Sequence, residues 1–159
     1  KTPMFIAIDE KIAGIIAVAD TVKETSKKAI ETLQKMGLEV VMLTGDNEIS
    51  ANAIAQQVNV NQVIAQVLPQ DKESVIAKYQ AMGKKVAMVG DGINDAPALV
   101  KADVGIAIGA GSDVALESAD LVLMHSDLMD VVKAIQLSKA VITNIKDPLL
   151  RGYSLFHLD

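Results

Sequence analysis

The chain predicts an open α/β sheet of parallel strands flanked by helices, with an antiparallel hairpin ahead of it. From residue 39 onward, short aliphatic runs alternate with stretches of helical period. Half of the 159 residues are apolar yet only 3% are aromatic, so the core must be built from Ile, Val, Leu, Ala and Met, which suits strands buried on both faces. Glycine-containing polar clusters then follow three of the strand runs, at "TGDN" (44–47), "GDGIND" (90–95) and "GAGSD" (109–113).

Each element has its own local reason. "MFIAIDEKIAGIIAV" (4–18) holds two apolar runs around Asp9-Glu10-Lys11 and reads as two strands and a polar turn. Val22, Ala29, Ile30, Leu33 and Met36 follow a helical period, with Gly37 placed to end the helix. "EVVML" (39–43) is a buried strand, and the helix after "TGDN" reaches about Val58. "QVIAQV" (62–67) is a strand, and Gln70 to Met82 a helix stopped by Gly83, with Val75, Ile76, Tyr79 and Met82 on one side. "KVAMV" (85–89), "VGIAI" (104–108) and "LVLM" (121–124) are strands, with a short helix expected near 112–118. Asp127 caps a last helix over 128–145 that turns Leu128, Val131, Val132, Ile135 and Ile142 inward.

At this length a single domain is expected. A net charge of −5, no Lys/Arg cluster and no aromatic platform argue against a nucleic-acid partner. Cysteine is absent, which removes disulfides and thiolate metal sites. No apolar run nears the roughly 18 residues that would span a bilayer; the best is Ile12–Ala19.

Right-handed crossovers bring the C-terminal ends of parallel strands to one edge, where ligands of open α/β sheets bind. In "TGDN" the Thr44 hydroxyl and the free N–H groups of the helix turn suit an anion. Asp46 or Asn47 could equally be a plain N-cap. In "VGDGINDAPAL" (89–99), Asp91, Asn94 and Asp95 are too close together to be three caps of one helix, and Gly90 and Gly92 let the chain turn beside them. Carboxylates converging at a sheet edge call for a cation, and Mg²⁺, hard and oxygen-liganded, is the natural candidate. Lys72, in "LPQDK" at the start of a helix, could balance a phosphoryl group there, although a lone lysine is more often a solvated surface charge.

The order "TGDN", "PQDK", "GDGINDAPAL" resembles the haloacid-dehalogenase superfamily, and more narrowly the phosphorylation domain of P-type ATPases, over nearly all of residues 1–146. "ADVGIAIGAGSDVALESADLVLM" (102–124) is similar to heavy-metal pumps of the copper branch, and "AVADTVK" (17–23) to their hinge. The resemblance implies a Rossmann-like, haloacid-dehalogenase-type sheet in which Thr44 and Gly45 bind the phosphoryl group, Asp46 helps to position it and Lys72 neutralises it. It further implies that Asp91 ligates Mg²⁺ with Asp95 and Asn94 beside it, that Asp20 and Lys23 form the hinge, and that ATP serves the intact protein.

Phosphoryl transfer in that family starts from an aspartate in an Asp-Lys-Thr-Gly-Thr motif on the first strand, and no such string occurs here. Asp9 and Asp20 end strand-like runs, but neither is followed by the glycine turn, so hairpin turn and hinge are the better roles for them. The expectation is therefore a fragment: hairpin and hinge from the nucleotide-binding side in 1–19, phosphorylation-domain core in 20–146, and a divergent or appended tail in 147–159 in which Asp147-Pro148 breaks the helix.

As part of a copper pump, the chain is expected to be a soluble cytosolic piece of a protein of the cell membrane. Its partners would be the nucleotide-binding and actuator domains and the membrane helices. The alternatives are a free-standing phosphatase using Asp9 or Asp20, and a non-catalytic binding or regulatory module. The missing first strand would lie between the strands ending at Thr44 and Gly90, leaving open edges for self-association unless something fills the gap.

Overall fold

The computed structural model describes residues 2–8, 11–18, 22–91, 94–109 and 117–155. Strands β1 (Thr2–Ile8) and β2 (Lys11–Val18) pair antiparallel as the expected hairpin, with an irregularity between Ile6 and Ala7. Helix α1 (Glu24–Lys35) buries Ala29, Ile30 and Leu33, with Glu24 in its first turn and Lys35 in its last, where each charge suits the helix dipole. Strand β3 (Val41–Leu43), helix α2 (Glu48–Val58), strand β4 (Gln62–Ile64) and helix α3 (Lys72–Ala81) follow, a 3₁₀ turn at Pro69–Asp71 leading into α3. Then come β5 (Ala87–Gly90), α4 (Ala96–Lys101), β6 (Val104–Ile108), β7 (Leu121–Leu123) and α5 (Leu128–Leu155).

Gly37 and Gly83 end α1 and α3 as the sequence predicts. At φ +83° and +79° they take the left-handed turn that lets Leu38 N–H reach Leu33 O at 3.1 Å and Lys84 N–H reach Tyr79 O at 3.2 Å. Strands β3 to β5 are shorter than the aliphatic runs suggested. Val40 and Val86 keep their apolar packing but lie just outside the ladders.

The parallel sheet is broken where a first strand was expected to be missing. β3 pairs with β4, and β5 with β6 and β6 with β7, all parallel, while no ladder joins β3 to β5 among the described residues. The hairpin does not fill the break, because β1 and β2 form a sheet of their own.

Helices join what the ladder does not. Ile30, Ala55, Val58 and Val60 pack with Met42 and Val63 on the β3–β4 side. Ile76, Met88, Ala98 and Leu99 pack under β5, and Leu43 at the end of β3 reaches into this second cluster. Ala29 and Leu33 of α1 meet Val132 of α5 in a third, with Leu128, Met129 and Ile135 around it.

Two expectations about α5 are corrected. It continues through Pro148 to Leu155 instead of ending near 145. One proline removes a single N–H bond and crowds one carbonyl, a local cost that kinks helices as readily as it ends them, and Leu149, Leu150 and Arg151 beyond it are good helix formers. Ile142 does not turn inward. It is exposed, with Leu137, Val141 and Ile145, because α5 has by then run past α1, its packing partner. Asp127 does serve the start of α5, its carboxylate accepting from Met129 N–H at 2.9 Å. Of the short helix expected near 112–118, only residues 117–118 are described, and they are helical. Among the described residues, no helix is long and apolar enough to cross a membrane.

At the N-terminal ends of β5 and β6, Asp103 accepts from Lys85 Nζ (2.7 Å), Val86 N–H (3.0 Å) and Gln80 Nε2 (3.2 Å). The Lys85 bond, followed by those from Val86 and Gln80, holds its carboxyl well below the usual carboxylate range. A depressed folded value contributes stability above the unfolded value and loses it as pH falls through the folded one. Asp103→Asn is therefore expected to be less stable than the parent chain at neutral pH. Urea melts should show the gap closing as pH drops below about 4, the ordinary aspartate value; a gap constant down to pH 2 would contradict the assignment.

Candidate functional site

Two loops tied to each other make one side of the site. Thr44 follows β3 directly; its N–H donates to Ile64 O (3.0 Å) and its carbonyl accepts from Val67 N–H (3.1 Å). Asp46 O accepts from Gln66 N–H at 2.8 Å, with Gln66 held at φ +57°, a left-handed conformation uncommon outside glycine. Gly45 sits close under this second loop: a Cβ there would lie 3.3 Å from Val67 O. Thr44 Oγ accepts from Asp46 N–H at 3.1 Å, and the Asp46 carboxylate stands exposed.

The N-cap of α2 is Asn47, whose side chain accepts from Ser50 N–H at 2.9 Å. This settles the choice between Asp46 and Asn47, and it leaves the Asp46 carboxylate outside the cap.

The other side is built on β5 and α4. Gly90 closes β5, Asp91 follows on the surface, and Asn94 is exposed. Asp95 is buried at 9% exposure, at the N-cap position of α4 with Pro97 in the first turn, where a missing N–H costs nothing. Its partner is Lys72, the first residue of α3, with Nζ 2.5 Å from Oδ1 and both side chains largely covered. Leu43, immediately before Thr44, packs on Ile76, Met88, Ala98 and Leu99, so the end of β3 meets the elements that carry Lys72 and Asp95.

The sequence-chosen residues thus assemble unequally. Lys72 and Asp95 are in direct contact, and Thr44, Gly45 and Asp46 share one stitched turn. Among the described residues no group of three or more His, Cys, Asp or Glu side chains gathers to hold a metal. Asp9, Asp20 and Gly92 lie outside the described residues. Lys23, by contrast, is placed: it precedes α1, and its ammonium donates to the Ser126 carbonyl in the loop between β7 and α5. Two features had no sequence signal, the left-handed Gln66 and the Ser126 acceptor, since each depends on a segment distant in the chain.

A family model described as haloacid dehalogenase-like hydrolase matches residues 1–103, and a second of the same description matches residues 72–135. The chain belongs to the haloacid dehalogenase-like hydrolases. Within them it is 60% identical over 153 residues to a copper-exporting P-type ATPase of Staphylococcus aureus (strain JH9), a match covering 96% of this chain and 19% of that protein.

Solved structures agree. This hydrolase-family chain superposes on a zinc-transporting PIB-type ATPase in the E2.Pi state with a TM-score of 0.79 and 42% identity, over 90% of the chain and 23% of the pump. It also matches the catalytic domain of the CPx-ATPase CopB-B with a TM-score of 0.63 and 34% identity, over 76% of this chain and 47% of that one. The chain is therefore homologous to the phosphorylation domain of heavy-metal P-type ATPases, and it spans 19% of the length of the curated relatives it matches.

Proposed function

We propose that the chain is the phosphoryl- and Mg²⁺-holding part of the ATP-hydrolysing domain of a heavy-metal pump, copper being the favoured cargo. The observation that carries this reading is the Lys72–Asp95 pair set beside the Thr44 turn, at a sheet broken between β3 and β5. The relatives' names give it the cargo: copper for the curated ATPase, against zinc for the pump of known structure.

In this proposal the nucleophilic aspartate rides on a strand that occupies the break, which places it between Thr44 and Asp91. Its carboxylate oxygen attacks the γ-phosphorus of ATP, ADP leaves, and the acyl phosphate is later hydrolysed. Thr44 Oγ and the Gly45 backbone would receive the transferred group, with Asp46 and Asn94 orienting its surroundings. Lys72 would oppose its negative charge. The work of these residues is positioning and charge neutralisation.

The donor set fits Mg²⁺ in the way that ion usually binds, through one or two carboxylates together with phosphate and water. Asp91, exposed at the end of β5, would be the ligand and Asp95 would support it from beside. When bound, Mg²⁺ would offset charge on the phosphoryl oxygens. Asp20 and Lys23 would form the hinge to the nucleotide-binding domain. In the whole pump that domain, the actuator domain and the membrane helices would be the partners, with this part on the cytosolic side of the cell membrane. Among the described residues no strand pairs with the facing edges of β3 and β5, and a second copy could pair there if no strand fills them.

One experiment separates this from the phosphatase alternative. The chain alone is expected to show no turnover of a generic phosphate ester, and Asp9→Asn and Asp20→Asn to change nothing. A synthetic peptide carrying the Asp-Lys-Thr-Gly-Thr strand should bind and raise the melting temperature. Turnover by the chain alone that either substitution abolishes would establish the phosphatase instead.

A further inference from the structure

We infer that Gly90 is a positioning residue, and that its missing side chain forms the seat which holds the Asp95 carboxylate against Lys72. The inference rests on the proposed role of Lys72 toward the phosphoryl group, and it says how Lys72 is held there.

The geometry is specific. A Cβ built on Gly90 would lie 2.4 Å from Asp95 Oδ2, 2.8 Å from its Cβ and 2.9 Å from its Cγ. The Asp95 side chain therefore occupies the space that a side chain on Gly90 would need, with Oδ2 toward the glycine and Oδ1 on Lys72 Nζ at 2.5 Å. Gly90 needs no special torsion here, since it is absent from the residues with positive φ and closes a regular parallel ladder opposite Ala107. What the position demands is empty space.

Asp95 has little room to retreat. It is buried, its carbonyl accepts Leu99 N–H at 2.9 Å to start α4, and a short two-bond side chain cannot swing its end away from a new methyl group and stay on Lys72. Lys72 starts α3 on a flexible stem, and the Asp95 contact is what fixes its ammonium. Gly90 thus acts on Lys72 through Asp95, at one remove from any ligand.

The test compares Gly90→Ala, Asp95→Ala, the double variant and Lys72→Met in this chain. Three readouts are used: the Lys72 side-chain NMR signals, urea unfolding, and binding of inorganic phosphate with Mg²⁺ present. Gly90→Ala is expected to move the Lys72 signals to those of a solvated lysine and to weaken phosphate binding as far as Lys72→Met does, about tenfold for one charge-assisted hydrogen bond. Its unfolding equilibrium should shift by roughly 5- to 150-fold, the range for overpacking, and adding it to Asp95→Ala should cost far less.

Unchanged Lys72 signals in folded Gly90→Ala would overturn the inference, whatever phosphate does. If Lys72→Met leaves phosphate binding intact, the role of Lys72 fails instead, and displaced Lys72 signals would still support the seat. Should Gly90→Ala not fold, the double variant decides: folding restored supports the seat, and folding still lost refutes it.

Discussion

Lys72→Met is expected to lower the unfolding free energy by about 3 kcal/mol, and adding Asp95→Asn to recover most of that loss. The cost comes mainly from what is left behind. Asp95 is 9% exposed, and among the described residues its cation partner is the Lys72 ammonium at 2.5 Å. A buried carboxylate stripped of its cation pays for desolvation with nothing returned, whereas an amide in its place does not. Methionine keeps the stem of lysine, so lost packing contributes little. Urea denaturation at neutral pH of the two variants and the parent chain measures the cycle. A loss below about 1 kcal/mol would class the pair with solvent-exposed ones.

Leu99→Ala should cost about 2–5 kcal/mol. Leu99 is 1% exposed and packs with Ile76, Met88 and Ala98, which belong to α3, β5 and α4. Its carbonyl would be 2.6 Å from a Cβ on Gly105, so the α4 backbone is already seated on β6 and cannot sink further to close the cavity. Val100, next in the chain and 69% exposed, is the control: Val100→Ala should stay within about 0.5 kcal/mol of the parent. Equal effects at the two positions would show that the cluster is not the core of this half.

Much of this was legible in the sequence because it is encoded locally. The alternation of aliphatic runs and helix-period stretches located the elements, and Gly37 and Gly83 marked helix ends that the structure confirms. The break between β3 and β5 was legible because a motif that should sit on a strand was absent from the string. The contact between Lys72 and Asp95 was not. The residues are 23 apart in sequence and meet through the tertiary placement of α3 and α4. For the same reason, nothing in "GDGIND" itself tells that Asp95 is buried on a lysine while Asp91 stands at the surface. Gly90 left a faint trace, a glycine five residues ahead of a buried acid, which acquires meaning only once the carboxylate is seen to fold back.

The break in the sheet also bears on cooperativity. Strands hydrogen-bonded edge to edge tend to melt together, and here the ladder that would couple β4 to β7 is interrupted. The coupling passes instead through side chains, Leu43 reaching under β5 and α1 resting on α5. The β3–β4 and β5–β7 units are then expected to open at different free energies. A strand laid into the break would do more than complete a site. It would fuse the two units into one, so that occupancy of the site's central element and all-or-none melting become the same event.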